Sequence, residues 1–210
     1  MTMAANTWIT GPRIIPVLTV ASVSMAGPLA EALATAGLTT VEVTLRTPAA
    51  HDVLTAMAAH GGLQVGAGTV LNAEQAESAV EAGASFVVSP GLQETVIARC
   101  RELAVPVIPG IATASELMRA IEAGVSTVKL FPAELLGGID MVRALAAVFP
   151  DVRFVPTGGI GFHHVREYLS HPAVLAIGGS WMIPPDVLAS GDYPRIQHLA
   201  SQALFRSQHE

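Results

Sequence analysis

Cysteine is nearly absent from this chain. The single one, Cys100, among 210 residues excludes an internal disulfide and leaves no thiolate cage for a metal. Set on a helix-like stretch, it reads as a small hydrophobe rather than a nucleophile. Charge is also scarce, at 13% of residues, and aromatics make up 5%. The formal net charge of -6 is spread along the sequence, with no basic stripe and no basic, aromatic-rich cluster, so nucleic acid is not expected as a partner. No apolar run approaches membrane-spanning length, and no basic stretch followed by a signal-like apolar core opens the chain. A cytoplasmic protein with no membrane partner is the expectation. GxGxxG does not follow the first strand-like run, which argues against a dinucleotide fold, and GAGTVL (66–71) lacks the third glycine. Histidines show no HExxH or comparable spacing; His163 and His164 are adjacent, so they face different sides of a helix and are expected at the surface. Glu134, Asp140 and Asp151 are scattered. No metal and no cofactor are expected.

What the chain does have is apolar bulk in a regular order. It is 51% hydrophobic, with a mean hydropathy of +0.51, as expected for buried parallel sheet covered by helices. Strand-like runs begin near Ile14, Thr40, Gln64, Phe86, Val107, Thr127, Arg153 and Val174. Helix-like stretches such as GPLAEALATAG, NAEQAESAVEAG, ETVIARCRELA, TASELMRAIEAG and HHVREYLS lie between them. Asn72, and Thr113 or Ser115, supply start signals; Gly37, Gly83 and Gly124 supply stops. Met57 and Met118 read as helix packing. Eight such units predict an α/β fold, a single (β/α)₈ TIM barrel over residues 1–210, with a short N-terminal extension and a C-terminal helix. A doubly wound open sheet is the competitor.

An internal repeat sharpens the barrel reading. AGLTTVEV (36–43), AGASFVVS (82–89) and AGVSTVKL (123–130) each run from helix stop through turn to strand. Aligned on the glycine, Glu42, Val88 and Lys129 fall at one position. Alternate strands of an eight-stranded barrel contribute to the same interior layer. Glu42 and Lys129 should therefore point inward at similar height and meet. Burial of either charge alone would cost on the order of several kcal/mol, so a structural ion pair is the plainer account. Three neighbours favour a site: Arg46, on the same side as Glu42 and nearer the C-terminal mouth, and Thr69 and Thr157, each at a strand end. Barrel active sites gather at that mouth.

A lysine among apolar neighbours such as Val128, Leu130 and Phe131 is partly desolvated, which disfavours the ammonium form, while a nearby carboxylate favours it. The neutral amine attacks a ketone to give an iminium, an electron sink, and the carboxylate moves protons. Two glycine doublets, TGGI (157–160) and IGGSW (177–181), fall after the last two strands, where barrels commonly bind phosphate through backbone N–H groups. Ser180 would add a hydroxyl.

Together VEVTLRTP, GAGTVLN, VSPG, IPGIATASE, VKLFPAE, VPTGGI and IGGSW resemble the 2-keto-3-deoxy-6-phosphogluconate (KDPG) aldolase family, from Ile14 into the 190s. The resemblance implies a class I aldolase on a (β/α)₈ barrel, usually a homotrimer, acting on a phosphorylated keto acid without cofactor. It makes Lys129 the Schiff-base lysine and Glu42 the general acid/base. Arg46 and Thr69 would hold the pyruvate-end carboxylate, Pro90 and Phe131 would wall the pocket, and Thr157 would lie by the substrate hydroxyls. Gly158, Gly159 and Ser180 would bind phosphate. After the first strand the chain reads VLTVASVS, where relatives often place a basic residue nearby, so phosphate binding would rest more on backbone donors. The alternatives are cleavage of 4-hydroxy-2-oxoglutarate or of 2-keto-3-deoxy-6-phosphogalactonate on the same scaffold, and a non-catalytic phosphosugar-binding protein.

Overall fold

Gly37, Gly83 and Gly124 set the frame of the fold. In the computed structural model, which describes residue 9 and residues 11–208, all three have positive φ, at 95°, 99° and 78°. A residue without Cβ takes this left-handed turn without penalty. Each turn is closed in the same way, by the next N–H reaching back five residues: Leu38 to the Leu33 carbonyl, Ala84 to Ala79, and Val125 to Ala120. The repeated sequence is thus a repeated helix stop, and it launches three strands at one register.

The strands are β1 (Ile14–Leu18), β2 (Thr40–Thr44), β3 (Gln64–Gly68), β4 (Phe86–Val88), β5 (Val107–Ile108), β6 (Gly110–Ile111), β7 (Thr127–Leu130), β8 (Arg153–Phe154) and β9 (Ile177–Gly179). The helices are α1 (Ala26–Thr35), α2 (Ala50–His60), α3 (Ala73–Glu81), α4 (Glu94–Glu102), α5 (Ala114–Glu122), α6 (Gly138–Val148), α7 (Val165–Leu169), α8 (Pro185–Ser190) and α9 (Tyr193–Gln208). Strands pair in the orders β5-β4-β3-β2-β1-β9 and β6-β7-β8, all parallel. Parallel bridges Phe154↔Val174 and Thr157↔Gly178 add contacts beyond β8. The fold is a parallel α/β protein with a curled sheet. The expected N-terminal extension lies largely outside the described residues, and the C-terminal helix is α9.

Start signals act as chemistry requires. Asn72 Oδ1 accepts the Gln75 N–H at 2.8 Å, and Thr113, not Ser115, caps α5 in a reciprocal capping box with Glu116. The Glu116 carboxyl is held below its ordinary pKa, chiefly by the backbone N–H of Ala112.

Burial on both faces of the sheet follows from its two sides. One large apolar cluster lies between strands and helices and draws Val41, Val43, Val128 and Leu130 outward. A second, formed by Ile15, Phe86, Val88, Ile108, Val155 and Ala176, lies on the opposite, inner face. Gly66 makes room there: a Cβ would sit 2.2 Å from the Phe86 ring.

Three expectations need correction. The strand expected near Val107 is split at Pro109, which has no N–H to donate. The last strand begins at Ile177 rather than near Val174, which makes only the bridge to Phe154. Met57 is buried as expected, but Met118 is 60% exposed. It follows Leu117, one of the two buried residues of α5, by one helical position and so turns about 100° away from the core.

Candidate active site

Glu42 sits in the middle of β2 between two outward valines, so alternation sends its side chain to the inner face. Lys129 stands likewise between Val128 and Leu130 on β7. The glutamate is 3% exposed and the lysine 5%, and Nζ donates to Oε1 at 3.2 Å. Sequence spacing predicted that these residues meet, and the structure brings them into contact. The Phe131 ring centroid lies 5.4 Å from Nζ, in range of a cation–π contact. Gly68 supplies space on the other side: a Cβ there would stand 2.1 Å from Glu42 Oε1. Two charges removed from water in this way cost several kcal/mol per ion unless each offsets the other, about the range at which loss of one partner becomes severe. The pair also has a chemical option. Transfer of one proton from Nζ to Oε1 leaves a neutral amine with a free lone pair beside a carboxylic acid.

The remaining candidates follow the C-terminal ends of parallel strands and therefore share one end of the sheet. Arg46 comes just after β2 and is exposed; its Nη2 donates to Thr19 Oγ1 at 2.7 Å. Thr19 lies 3.0 Å from Thr44 Oγ1, and Thr44 donates to the Leu18 carbonyl at 2.7 Å. A chain of threonines thus braces the guanidinium above Glu42. Thr69 follows β3 with φ +60°, a conformation that a β-branched residue seldom adopts and that costs about 1–3 kcal/mol. Pro90 follows β4; its carbonyl lies where a Cβ on Gly110 would fall, at 2.2 Å, and Gly110 pairs with Lys129.

Thr157, 6% exposed, follows β8 and abuts Gly178, where a Cβ would lie 2.4 Å from its Oγ1. Gly158 and Gly159 have φ +100° and +80°. The carbonyls of Thr157 and Gly158 accept the N–H groups of Ala133 and Glu134 at 2.8 and 3.1 Å. In a trans peptide the N–H points opposite to the carbonyl, so the Gly158 and Gly159 N–H groups face away from residues 133–134. Phe131 is close, 3.2 Å from a Cβ built on Gly158. Ser180 is exposed just after β9.

Elsewhere, burial raises the Cys100 thiol pKa to about 11, which suits its place in the core. Asp140 pairs with Arg143 at 2.7 Å on the surface. His163 is exposed, but His164 is half-buried against Glu134, so only one of the adjacent histidines lies where the sequence led us to expect. Among the described residues, no group of three or more His, Cys, Asp and Glu side chains is arranged to hold a metal, and no helix is long and apolar enough to cross a membrane.

Composition carries a further signal for the site, independent of strand and helix periodicity. Lys129 is the only lysine in the chain; the other ten basic residues are arginine. A lone lysine that is also buried does not serve solubility, and its chemistry differs from that of arginine because it can give up its proton.

Fold and site define a parallel α/β protein built around one buried amine and its carboxylate partner. The family model for KDPG and KHG aldolase matches residues 6–199, and the chain belongs to this family. It is 51% identical to the 2-dehydro-3-deoxy-phosphogluconate aldolase of Treponema pallidum over 193 residues, 91% of this chain and 92% of the relative. The KDPG aldolase of Zymomonas mobilis ZM4, solved with 3-phosphoglycerate, superposes with a TM-score of 0.88 at 40% identity, covering 92% of this chain and 91% of that one. The KDPG aldolase of Legionella pneumophila, with pyruvate captured at low pH as a covalent carbinolamine, gives 0.88 at 39% identity over 91% and 93%.

Proposed function

We propose that the protein is a class I aldolase that cleaves KDPG to pyruvate and glyceraldehyde 3-phosphate. The observation that carries this reading is the buried contact of the sole lysine, Lys129, with Glu42 at 3.2 Å. Proton transfer within the pair frees the amine, which attacks the ketone carbon of the substrate. Glu42, now a carboxylic acid, protonates the departing oxygen as water leaves and the iminium forms. Loss of the C4 hydroxyl proton breaks the C3–C4 bond; C4 becomes the aldehyde, and the bonding pair moves into the iminium to give an enamine. Glyceraldehyde 3-phosphate departs. Protonation at C3 and hydrolysis then release pyruvate and restore the amine. The Legionella relative holding pyruvate as a carbinolamine supports the first step by kinship.

Arg46 and Thr69 hold the pyruvate-end carboxylate in this account, the arginine as a charged donor and the threonine in its strained turn. Pro90 and Phe131 wall the pocket, and Thr157 meets the substrate hydroxyls. Gly158, Gly159 and Ser180 take the phosphate, with the outward N–H pair of the glycine loop as its principal donors. The scaffold is a single (β/α)₈ barrel over residues 1–210. Two features support closure: β5 and β6 flank Pro109 as halves of one strand, and the Thr157↔Gly178 bridge carries pairing from beyond β8 to β9, which pairs with β1. The protein works as a cytoplasmic homotrimer; Leu135, Val148 and Phe205 are large apolar side chains left exposed by one protomer.

The family's own name favours one second reading, cleavage of 4-hydroxy-2-oxoglutarate (KHG), which carries no phosphate. Pyruvate release measured from KDPG, from its galactonate epimer and from their unphosphorylated forms separates the readings. KDPG should be the preferred substrate, and equal rates with and without phosphate would overturn this reading.

A further inference from the structure

The chain between β7 and α6 carries a second carboxylate with an unusual set of partners. Glu134 lies five residues beyond Lys129, and its own N–H donates to the Gly158 carbonyl at 3.1 Å. Its side chain runs under Gly159, where a Cβ would fall 2.7 Å from Glu134 Cβ and 2.8 Å from Cγ. Oε1 accepts the Tyr168 hydroxyl, from α7, at 2.5 Å. Tyr168 is 1% exposed, and its pKa is raised, by burial first and then by Glu134, so the phenol stays a donor. Oε2 lies 3.4 Å from His164 Nε2. His164 Nδ1 accepts the Gly161 N–H at 3.1 Å, which places the imidazole proton on Nε2, facing the carboxylate.

Glu134 therefore grips the glycine loop at two points. Its main chain holds the loop at Gly158, and its side chain holds it at Gly161 through His164. Tyr168 fixes the carboxylate between the two. The carboxylate has a hydroxyl and an imidazole N–H turned toward it.

We propose that Glu134, held by Tyr168 and His164, is a positioning residue that orients the Gly158–Gly159 loop and so sets the preference for phosphorylated over unphosphorylated keto acids. The inference rests on the reading of Gly158 and Gly159 as phosphate donors. A loop without this brace still admits pyruvate to Lys129 but no longer holds its two N–H groups at the angle that a phosphate requires. Glu134→Gln weakens the set even though it keeps the shape. With its one carbonyl oxygen on Tyr168, its NH₂ faces the His164 Nε2–H; with the oxygen on His164, the NH₂ donates to the Tyr168 oxygen and that hydroxyl proton loses its acceptor.

The test uses Tyr168→Phe and Glu134→Gln in the full chain, each checked for folding by circular dichroism and thermal unfolding. Three quantities are measured: borohydride-trapped incorporation of pyruvate, kcat, and KM for KDPG and for its unphosphorylated form. Each variant should trap pyruvate and turn over the unphosphorylated substrate within about twofold of the parent, while KM for KDPG rises about tenfold with little change in kcat. Unchanged KM for KDPG, or an equal loss on both substrates, overturns the inference. If Tyr168→Phe fails to fold, Glu134→Gln decides alone, since it deletes no buried atom. Failure of the parent to trap pyruvate would instead sink the aldolase reading itself. A parent that traps pyruvate, beside variants with no KM split, sinks only the role given to Glu134.

Discussion

Gly68→Ala perturbs the proposed chemistry without replacing either reacting side chain. A Cβ at this position falls 2.1 Å from Glu42 Oε1 and 2.6 Å from its Cδ and Cγ, whereas ordinary contact begins near 3.4 Å. The carboxylate must retreat by more than 1 Å, and the 3.2 Å contact with Lys129 gives it nowhere equivalent to go. Gly68 is not among the residues with positive φ, so alanine is not refused by the backbone. Overpacking of a buried site costs about 1–3 kcal/mol, which lowers the melting temperature while leaving a folded protein. The rate should suffer more: a misplacement of about 1 Å costs on the order of 10²-fold. Pyruvate release, followed by coupled NADH oxidation, should show kcat down by that factor in a chain with the parent circular dichroism. Near-parental kcat would refute the reasoning, because it would mean that turnover does not depend on where the Glu42 carboxylate stands.

Other substitutions test other parts. Glu42→Gln keeps the shape but cannot exchange a proton, so turnover should fall about 10²–10⁴-fold in a folded protein; near-parental turnover would leave Glu42 a structural role. Ser180→Asp puts a carboxylate where the phosphate is placed, and KM for KDPG should rise far more than KM for the unphosphorylated form; equal effects would move the phosphate elsewhere. Cys100, buried with its thiol raised to about 11, should resist thiol reagents at pH 8 in the native protein and react once denatured. Rapid labelling of the native chain would contradict its burial.

The Glu42–Lys129 contact was legible because glycine stops fix strand register. Gly37 and Gly124 each lie five residues ahead of the charge, and a strand then allows only one face. The alternation of Val41, Val43 and Leu45 with Glu42, Thr44 and Arg46 carried the same information at shorter range. Where neither signal operated, the sequence misled or stayed silent. Residues 173–177 are apolar throughout, so no alternation marked where β9 would begin. Met118 has apolar neighbours at helical spacing, Ala114 and Ile121, yet only Leu117 and Ala120 of α5 are buried. Gly68 stood in the GAGTVL run, and its purpose shows only once the Glu42 side chain is placed beside it. Glu134, His164 and Tyr168 meet across 34 residues of chain with no shared period. Contacts of that kind come from packing and leave no trace in a linear pattern.

Reduction in the presence of pyruvate tests the central claim most directly. An ion-paired ammonium has no lone pair and forms no imine, so a merely structural Lys129 cannot be labelled. Because the chain has no other lysine, only the α-amino group competes, and peptide mass analysis separates the two. Borohydride with pyruvate should inactivate the protein irreversibly and leave the three-carbon acid on the peptide containing Lys129. Lys129→Arg, which stays protonated, should fold, escape that label and lose cleavage. A protein that cleaves KDPG while Lys129 remains unlabelled would contradict the Schiff-base account.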